Sequence, residues 1–181
     1  FFGRLAGYNN TSGINNLAIG FESLISNQGG NNNAAVGYRS MYSNISGYSN
    51  IAIGHEALRT NTTGSNLVAV GDSALFSNFG GTSNTAVGSK ALYVNSTGAN
   101  NTATGFQALR QNGSGSNNTA FGSNALILNA SGSAHTAMGS FALSNLTGSN
   151  YNVAIGDSAA RNLASGSNNV VVGTWAFKDH T

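Results

Sequence analysis

Catalysis and metal binding need titratable or nucleophilic side chains that converge on one point. This chain offers few of them. Its carboxylates are Glu22, Glu56, Asp72, Asp157 and Asp179, its imidazoles are His55, His135 and His180, and it has no cysteine. Glu22 and Glu56 occupy one position of the repeat described below, two coils apart, roughly 10 Å at the spacing of stacked strands. His55 and Glu56 are sequence neighbours that alternate sides. Neither a Ser-His-Asp arrangement nor a metal-ligand spacing is present. The reading is therefore solvated surface charge, with no catalytic residue, no cofactor and no metal. The calcium-binding β-roll is excluded for the same reason, because it needs a regularly recurring aspartate.

The elements that carry these residues are defined by an internal period. Glycine recurs at Gly3, Gly20, Gly37, Gly54, Gly71, Gly88, Gly105, Gly122, Gly139, Gly156 and Gly173, always 17 residues apart. A second column runs Gly13, Gly30, Gly47, Gly64, Gly81, Gly98, Gly115 and Gly132, slips to Gly148, and returns at Gly166. Before the first glycine stands an alanine: Ala18, Ala35, Ala52, Ala69, Ala86, Ala103, Ala120, Ala137 and Ala154. Between them lies a mostly apolar column that includes Ile19, Val36, Ile53, Val70 and Val87. After the glycine comes Leu24, Met41, Leu58, Leu75, Leu92, Leu109, Leu126 and Leu143. Two asparagine columns flank these, one from Asn10 and Asn27 to Asn129, the other including Asn16, Asn33, Asn50, Asn84, Asn101 and Asn118.

A period of 17 residues is too short for a pair of helices and long enough for two short strands and two turns. Residues 84–88 have strand chemistry closed by a glycine, and Ala91-Leu92-Tyr93 is read as the second strand. Asn95-Ser-Thr-Gly98 is a turn, its glycine free to take a positive φ. Parallel stacking superimposes like residues at about 4.8 Å. The asparagines then bond amide to amide, and the Leu and Val/Ile columns form a continuous core. The expected fold is all-β: a parallel β-solenoid, or β-roll, of about ten coils in one repeat domain over residues 1–181. The end coils, where Gly7 and Ala160 replace the core leucine and Gly148 breaks the loop column, should pack less well, with Trp175 and Phe177 compensating.

Because side chains alternate along a strand, an inward Val/Ile column turns the alanine column outward. A position that accepts only a methyl group on an outer surface implies close approach of another chain. Ala18, Ala35, Ala52, Ala69, Ala86, Ala103, Ala120, Ala137 and Ala154 are thus the expected subunit interface. The alternative is that alanine points inward where the coil is narrow.

The Asn-Thr-Ala-Val-Gly pattern, and above all Asn50-Ile-Ala-Ile-Gly54 and Asn152-Val-Ala-Ile-Gly156, resembles the Asn-Ser-Val-Ala-Ile-Gly motif of YadA-like trimeric autotransporter heads. With Ala-Leu after the glycine and Asn-Ser/Thr-Thr-Gly in the loop, the repeat is also similar to those of bacteriophage tail fibres. The resemblance covers the whole chain but departs in period, since those heads use a shorter coil. It implies a left-handed β-roll, a homotrimer, and a role in attachment at a bacterial surface or virion, with a cell-surface glycan or protein as receptor.

Composition is compatible with that implication. Only 7% of residues are charged, against about 25% in ordinary domains. No basic run exists that could follow a phosphate backbone, so nucleic acid is not an expected partner. No apolar stretch reaches the roughly 18 residues that span a bilayer, so this segment is not expected to insert into a membrane. The column after the leucine holds Tyr8, Tyr42, Arg59, Phe76, Tyr93, Arg110 and Arg161, then Lys178, and is read as an outward contact stripe for a ligand or a neighbouring chain. The sequons at Asn44, Asn61, Asn95 and Asn129 are explained by turn chemistry. The leading expectation is a structural, adhesive segment of a trimeric extracellular fibre. The alternatives are a self-assembling extracellular filament and, less favoured, an ice-binding solenoid. Thr85, Thr102, Thr119 and Thr136 align as ice binding would require, but no second threonine column accompanies them.

Overall fold

The computed structural model describes residues 1–177; Lys178, Asp179 and His180, considered above, lie outside the described residues. Helix is absent from the described residues. The strands are β1 (Leu17–Ile19), β2 (Ala34–Val36), β3 (Ile51–Ile53), β4 (Val68–Val70), β5 (Ser77–Asn78), β6 (Thr85–Val87), β7 (Val94–Asn95), β8 (Thr102–Thr104), β9 (Gln111–Asn112), β10 (Thr119–Phe121), β11 (Thr136–Met138), β12 (Val153–Ile155) and β13 (Val170–Val172). Ten of them form one parallel sheet in the order β1-β2-β3-β4-β6-β8-β10-β11-β12-β13, and β5-β7-β9 form a second. Register follows the sequence period: Ala86 pairs with Ala103, Ala103 with Ala120 and Ala120 with Ala137. The chain is a parallel β-solenoid, and the ten-stranded sheet is roughly 45 Å long at the usual strand spacing.

The alanine column corrects the sequence expectation. Every alanine of this column, from Ala18 to Ala154, is fully buried within its own chain. The flanking positions turn outward instead, as the repeated exposed–buried–exposed pattern of β1, β3 and β10 shows. The alanines join the fully buried leucines in one cluster. The physical reason is the narrowness of the coil. With leucine filling the interior, the strand has room for a methyl group, and β-branched side chains are displaced to the outer face. Leu24, Met41, Leu58, Leu75, Leu92, Leu109, Leu126 and Leu143 are core residues, as expected. An alanine with no surface in its own chain cannot be a subunit contact.

The second strand is also displaced. Leu92 has φ 48° and Lys90 φ 57°, both left-handed, and the same two positions repeat this in Glu22 (54°) and Leu24 (53°). Ala91-Leu92-Tyr93 is therefore a bend, and the second strand of this coil begins only at Val94. Alternating right- and left-handed residues give the curvature that closes a coil in 17 residues, and they still stack: Leu92 N–H donates to Ala108 O at 2.9 Å.

The two glycine columns are glycine for different reasons. Gly88 has φ 129°, and a Cβ there would lie 2.6 Å from Gly105 O. Gly98 is absent from the positive-φ positions, contrary to expectation. A Cβ on it would collide with Gly115 O and with the Asn95 and Asn112 amides. The expected asparagine ladder runs beside it. Asn44, Asn61, Asn78, Asn95, Asn112 and Asn129 each donate Nδ2 to the Oδ1 of the asparagine one coil earlier, at 2.8–3.0 Å. The same Nδ2 reaches the loop glycine, as Asn95 does to Gly98 O at 2.8 Å. A second ladder is formed by Asn16, Asn33 and Asn50, is interrupted at Leu67, and resumes with Asn84, Asn101 and Asn118, after which His135 takes the asparagine place. Oδ1 of one coil accepts the backbone N–H of the next, as in Asn101 N–H to Asn84 Oδ1 at 2.9 Å. Buried polar groups cost free energy unless paired, and here nearly all are.

At the ends, a Cβ on Gly7 would meet the Phe1 ring, so an aromatic covers the missing leucine. Ala160 is fully buried despite its small size, and Trp175 and Phe177 stay partly exposed.

Candidate interaction surfaces

The titratable residues do not converge. Glu22 Oε2 pairs with Arg39 Nε at 2.7 Å, Glu56 Oε1 with Arg59 Nε at 3.2 Å, and Asp72 Oδ1 with His55 Nδ1 at 3.3 Å. The hydrogen bond to Glu22 raises the Arg39 pKa further. Among the described residues no three His, Cys, Asp or Glu could hold a metal ion. The sequon asparagines Asn44, Asn61, Asn95 and Asn129 are fully buried, their amides committed to the ladder.

Two outward surfaces remain. One is the flat face of the ten-stranded sheet. Its first column is Leu17, Ala34, Ile51, Val68, four threonines, Val153 and Val170; its second runs from Ile19 through Ile53, Val87, Phe121, Met138 and Ile155 to Val172. Phe121 is 56% exposed, Ile53 43% and Met138 42%. Large contiguous apolar patches are unusual on a soluble monomer and mark interaction sites. Their apolar types had placed the second column in the core on sequence grounds. The exposed apolar column was thus present in the sequence, one residue away from the alanines.

The other surface is an aromatic and arginine ladder. Phe21, Tyr38 and His55 stack in parallel one coil apart, with centroids 5.5 and 5.1 Å apart. In the stripe read from the sequence, Tyr42, Arg59, Phe76, Tyr93, Arg110 and Arg161 are half-buried, and Tyr8 is exposed. Arg59 lies between the Tyr42 and Phe76 rings at 5.6 and 5.5 Å. Phe76 stacks on Tyr93 at 5.1 Å, and Arg110 lies 6.0 Å from the Tyr93 ring. Arg161 lies 4.7 Å from the Phe141 ring and 5.9 Å from Trp175. Cation–π contacts of this kind hold the guanidinium groups flat along the rod. At Tyr93 and Arg110 the ladder opens into a cavity of about 330 Å³, lined also by Val94, Gln111, Gly113 and Ala130.

No family model, curated protein or solved structure matches this chain. No helix among the described residues is long and apolar enough to cross a membrane.

Proposed function

We propose that this chain is a structural segment of an extracellular attachment fibre, assembled as a parallel homotrimer through the flat face of its ten-stranded sheet. The exposure of the two columns flanking the buried alanines carries this reading. The strip is two side-chain columns wide, about 7 Å across from one residue to the next but one. A strip so narrow suits a shared axis. In a three-fold ring the first column of each chain meets the second column of the next, a heterologous contact that closes on itself. Three copies rather than two is what the resemblance to YadA-like heads and tail fibres implies, and attachment at a bacterial or virion surface comes from the same source. The low charge and the stacked, internally bonded coils suit a rigid shaft.

Sedimentation equilibrium of the purified chain tests the assembly. The expected mass is three copies, falling to one when Val87→Lys and Phe121→Lys are combined while the β-sheet circular dichroism is kept. A wild-type monomer at micromolar concentration would overturn the trimer, and mass growing without limit would favour an open filament.

A further inference from the structure

We infer that the cavity between Tyr93 and Arg110 is a binding site for a single sugar unit bearing a carboxylate. The inference rests on the adhesive reading only for its biological use, since the site lies within one chain.

The argument begins with repeat position. Arg59 and Arg110 share a column, and each has a buried Nε without a hydrogen-bond partner. Arg59 nevertheless has a neutralising carboxylate three residues earlier, Glu56, at 3.2 Å. At the equivalent place Arg110 has Gln107. Among the described residues Arg110 forms no ion pair. The deficit is regional. Between Asp72 and Asp157 the chain contains no acidic residue, yet it contains Lys90 and Arg110. A guanidinium that lines the cavity, is held against an aromatic ring and has no internal counter-charge is matched by a planar carboxylate from outside, met at the part of the group that faces the cavity and not at the buried Nε.

The space is made by substitution in a different column. The loop position after the ladder asparagine holds Ile45, Thr62, Phe79 and Ser96 in earlier coils, then Gly113 and Ala130. Loss of those side chains leaves the cavity of about 330 Å³ at the place where Arg110 is unpaired. That volume is at the lower end for small-molecule sites and suits one sugar ring. Its lining is mainly apolar, from Val94, Ala130 and the Tyr93 ring, as the C–H face of a sugar requires. The Gln111 amide and the Tyr93 hydroxyl supply neutral hydrogen-bonding groups for ring hydroxyls. In the N-terminal cluster of Phe21, Tyr38, Arg39 and His55, by contrast, Glu22 pairs with Arg39, and Asp72 lies 3.3 Å from His55.

Saturation-transfer NMR on the full chain tests the site, with methyl glucuronide as the probe. Methyl glucoside is the neutral control, N-acetylaspartate the peptide-type carboxylate, and sulfate the plain anion. Methyl glucuronide should bind. Arg110→Gln should weaken it about tenfold or more. Ala130→Phe, which copies the residue present at Phe79, should block it with the fold intact. The site is refuted if methyl glucuronide does not bind, if methyl glucoside or N-acetylaspartate binds equally well, if sulfate competes it off as a simple anion, or if neither substitution changes binding. Sedimentation of the same samples separates the two proposals. A trimer that binds no sugar acid defeats this site alone, and a monomer that binds it defeats the assembly alone.

Discussion

Leu146 stands one coil above Asn129, and the buried Asn129 Oδ1 accepts no hydrogen bond. Everywhere earlier in that ladder the next asparagine supplies the donor. Two further irregularities lie beside this one. Ser149 replaces the loop glycine, and His135 replaces the second-ladder asparagine, its Nε2 lying 2.7 Å from Ser149 O. They are physically coupled. A Cβ at Gly132 would lie 2.5 Å from Asn129 Oδ1, so a serine at the loop position is compatible with leucine in its own coil and not with asparagine.

The coupling predicts a non-additive pair. Leu146→Asn alone should not stabilise the chain, because its amide would meet the Ser149 Cβ. Leu146→Asn with Ser149→Gly should exceed wild type by about 1–2 kcal/mol, through ladder bonds to Asn129 and to residue 149. Urea unfolding of all four members of the cycle measures this, and an interaction energy below about 0.5 kcal/mol would refute the coupling.

Glycine sites should separate by space rather than by residue type. Gly98→Ala forces a Cβ into Gly115 O and two ladder amides. A cost of about 3 kcal/mol or more is expected, since overpacking here falls on backbone. Gly80 has no atom within 4 Å of its notional Cβ. Gly80→Ala should change stability by less than about 0.5 kcal/mol. Comparable losses for both would mean that backbone freedom, not coil spacing, selects glycine in the loop.

His135 makes stability depend on pH. Burial lowers its pKa below the ordinary value. Its Nδ1 accepts the Asn152 N–H at 3.2 Å, and Nε2–H donates to Ser149 O, so the neutral ring satisfies both partners. Its other ladder neighbour, Asn118, does not titrate. The unfolded chain binds the proton more readily, with a pKa of about 6.5. Stability is therefore complete above about pH 6.5 and falls as the pH drops below it, by up to about 1.4 kcal/mol per unit, until the folded-state pKa is passed. His135→Asn restores the repeat and should remove the slope between pH 6.5 and 5. Thermal unfolding across that range decides it, and an unchanged slope in the variant would place the titration elsewhere.

The period, the register, the leucine core and the amide ladder were all legible in the sequence, because each depends on like residues recurring at one spacing. The facing of the strand was not. Alternation says that Ala86 and Val87 point to opposite sides, but not which side is inside. The choice depends on coil width, set by Leu92 and its left-handed backbone, which no propensity announces. The sequence also placed Tyr93 and Arg110 in an outward stripe. The cavity beside them is lined also by Gly113 and Ala130, from another column, where Arg110 has Gln107 in place of an acid three residues earlier. Those relations appear only when the coil is closed.

Ala86 and Val87 supply the sharpest test, since adjacent residues should fail in different ways. Ala86 is fully buried in its own coil, while Val87 is 37% exposed on the flat face. Glutamate at Ala86 must place a carboxylate in a methyl-sized space between Ala69 and Ala103. The cost, about several kcal/mol for an unpaired buried charge, falls on folding itself. Neighbouring coils share each contact, so the loss should spread along the rod. Glutamate at Val87 enters solvent in the isolated chain and would meet apolar side chains only in the proposed trimer. Ala86→Glu should therefore lose β-sheet circular dichroism at every protein concentration. Val87→Glu should keep the spectrum and lose the trimer, with a melting temperature that no longer rises with concentration. Should Ala86→Glu fold normally, the alanine column would not be core. Should Val87→Glu remain trimeric and equally stable, the flat face would not be the subunit contact.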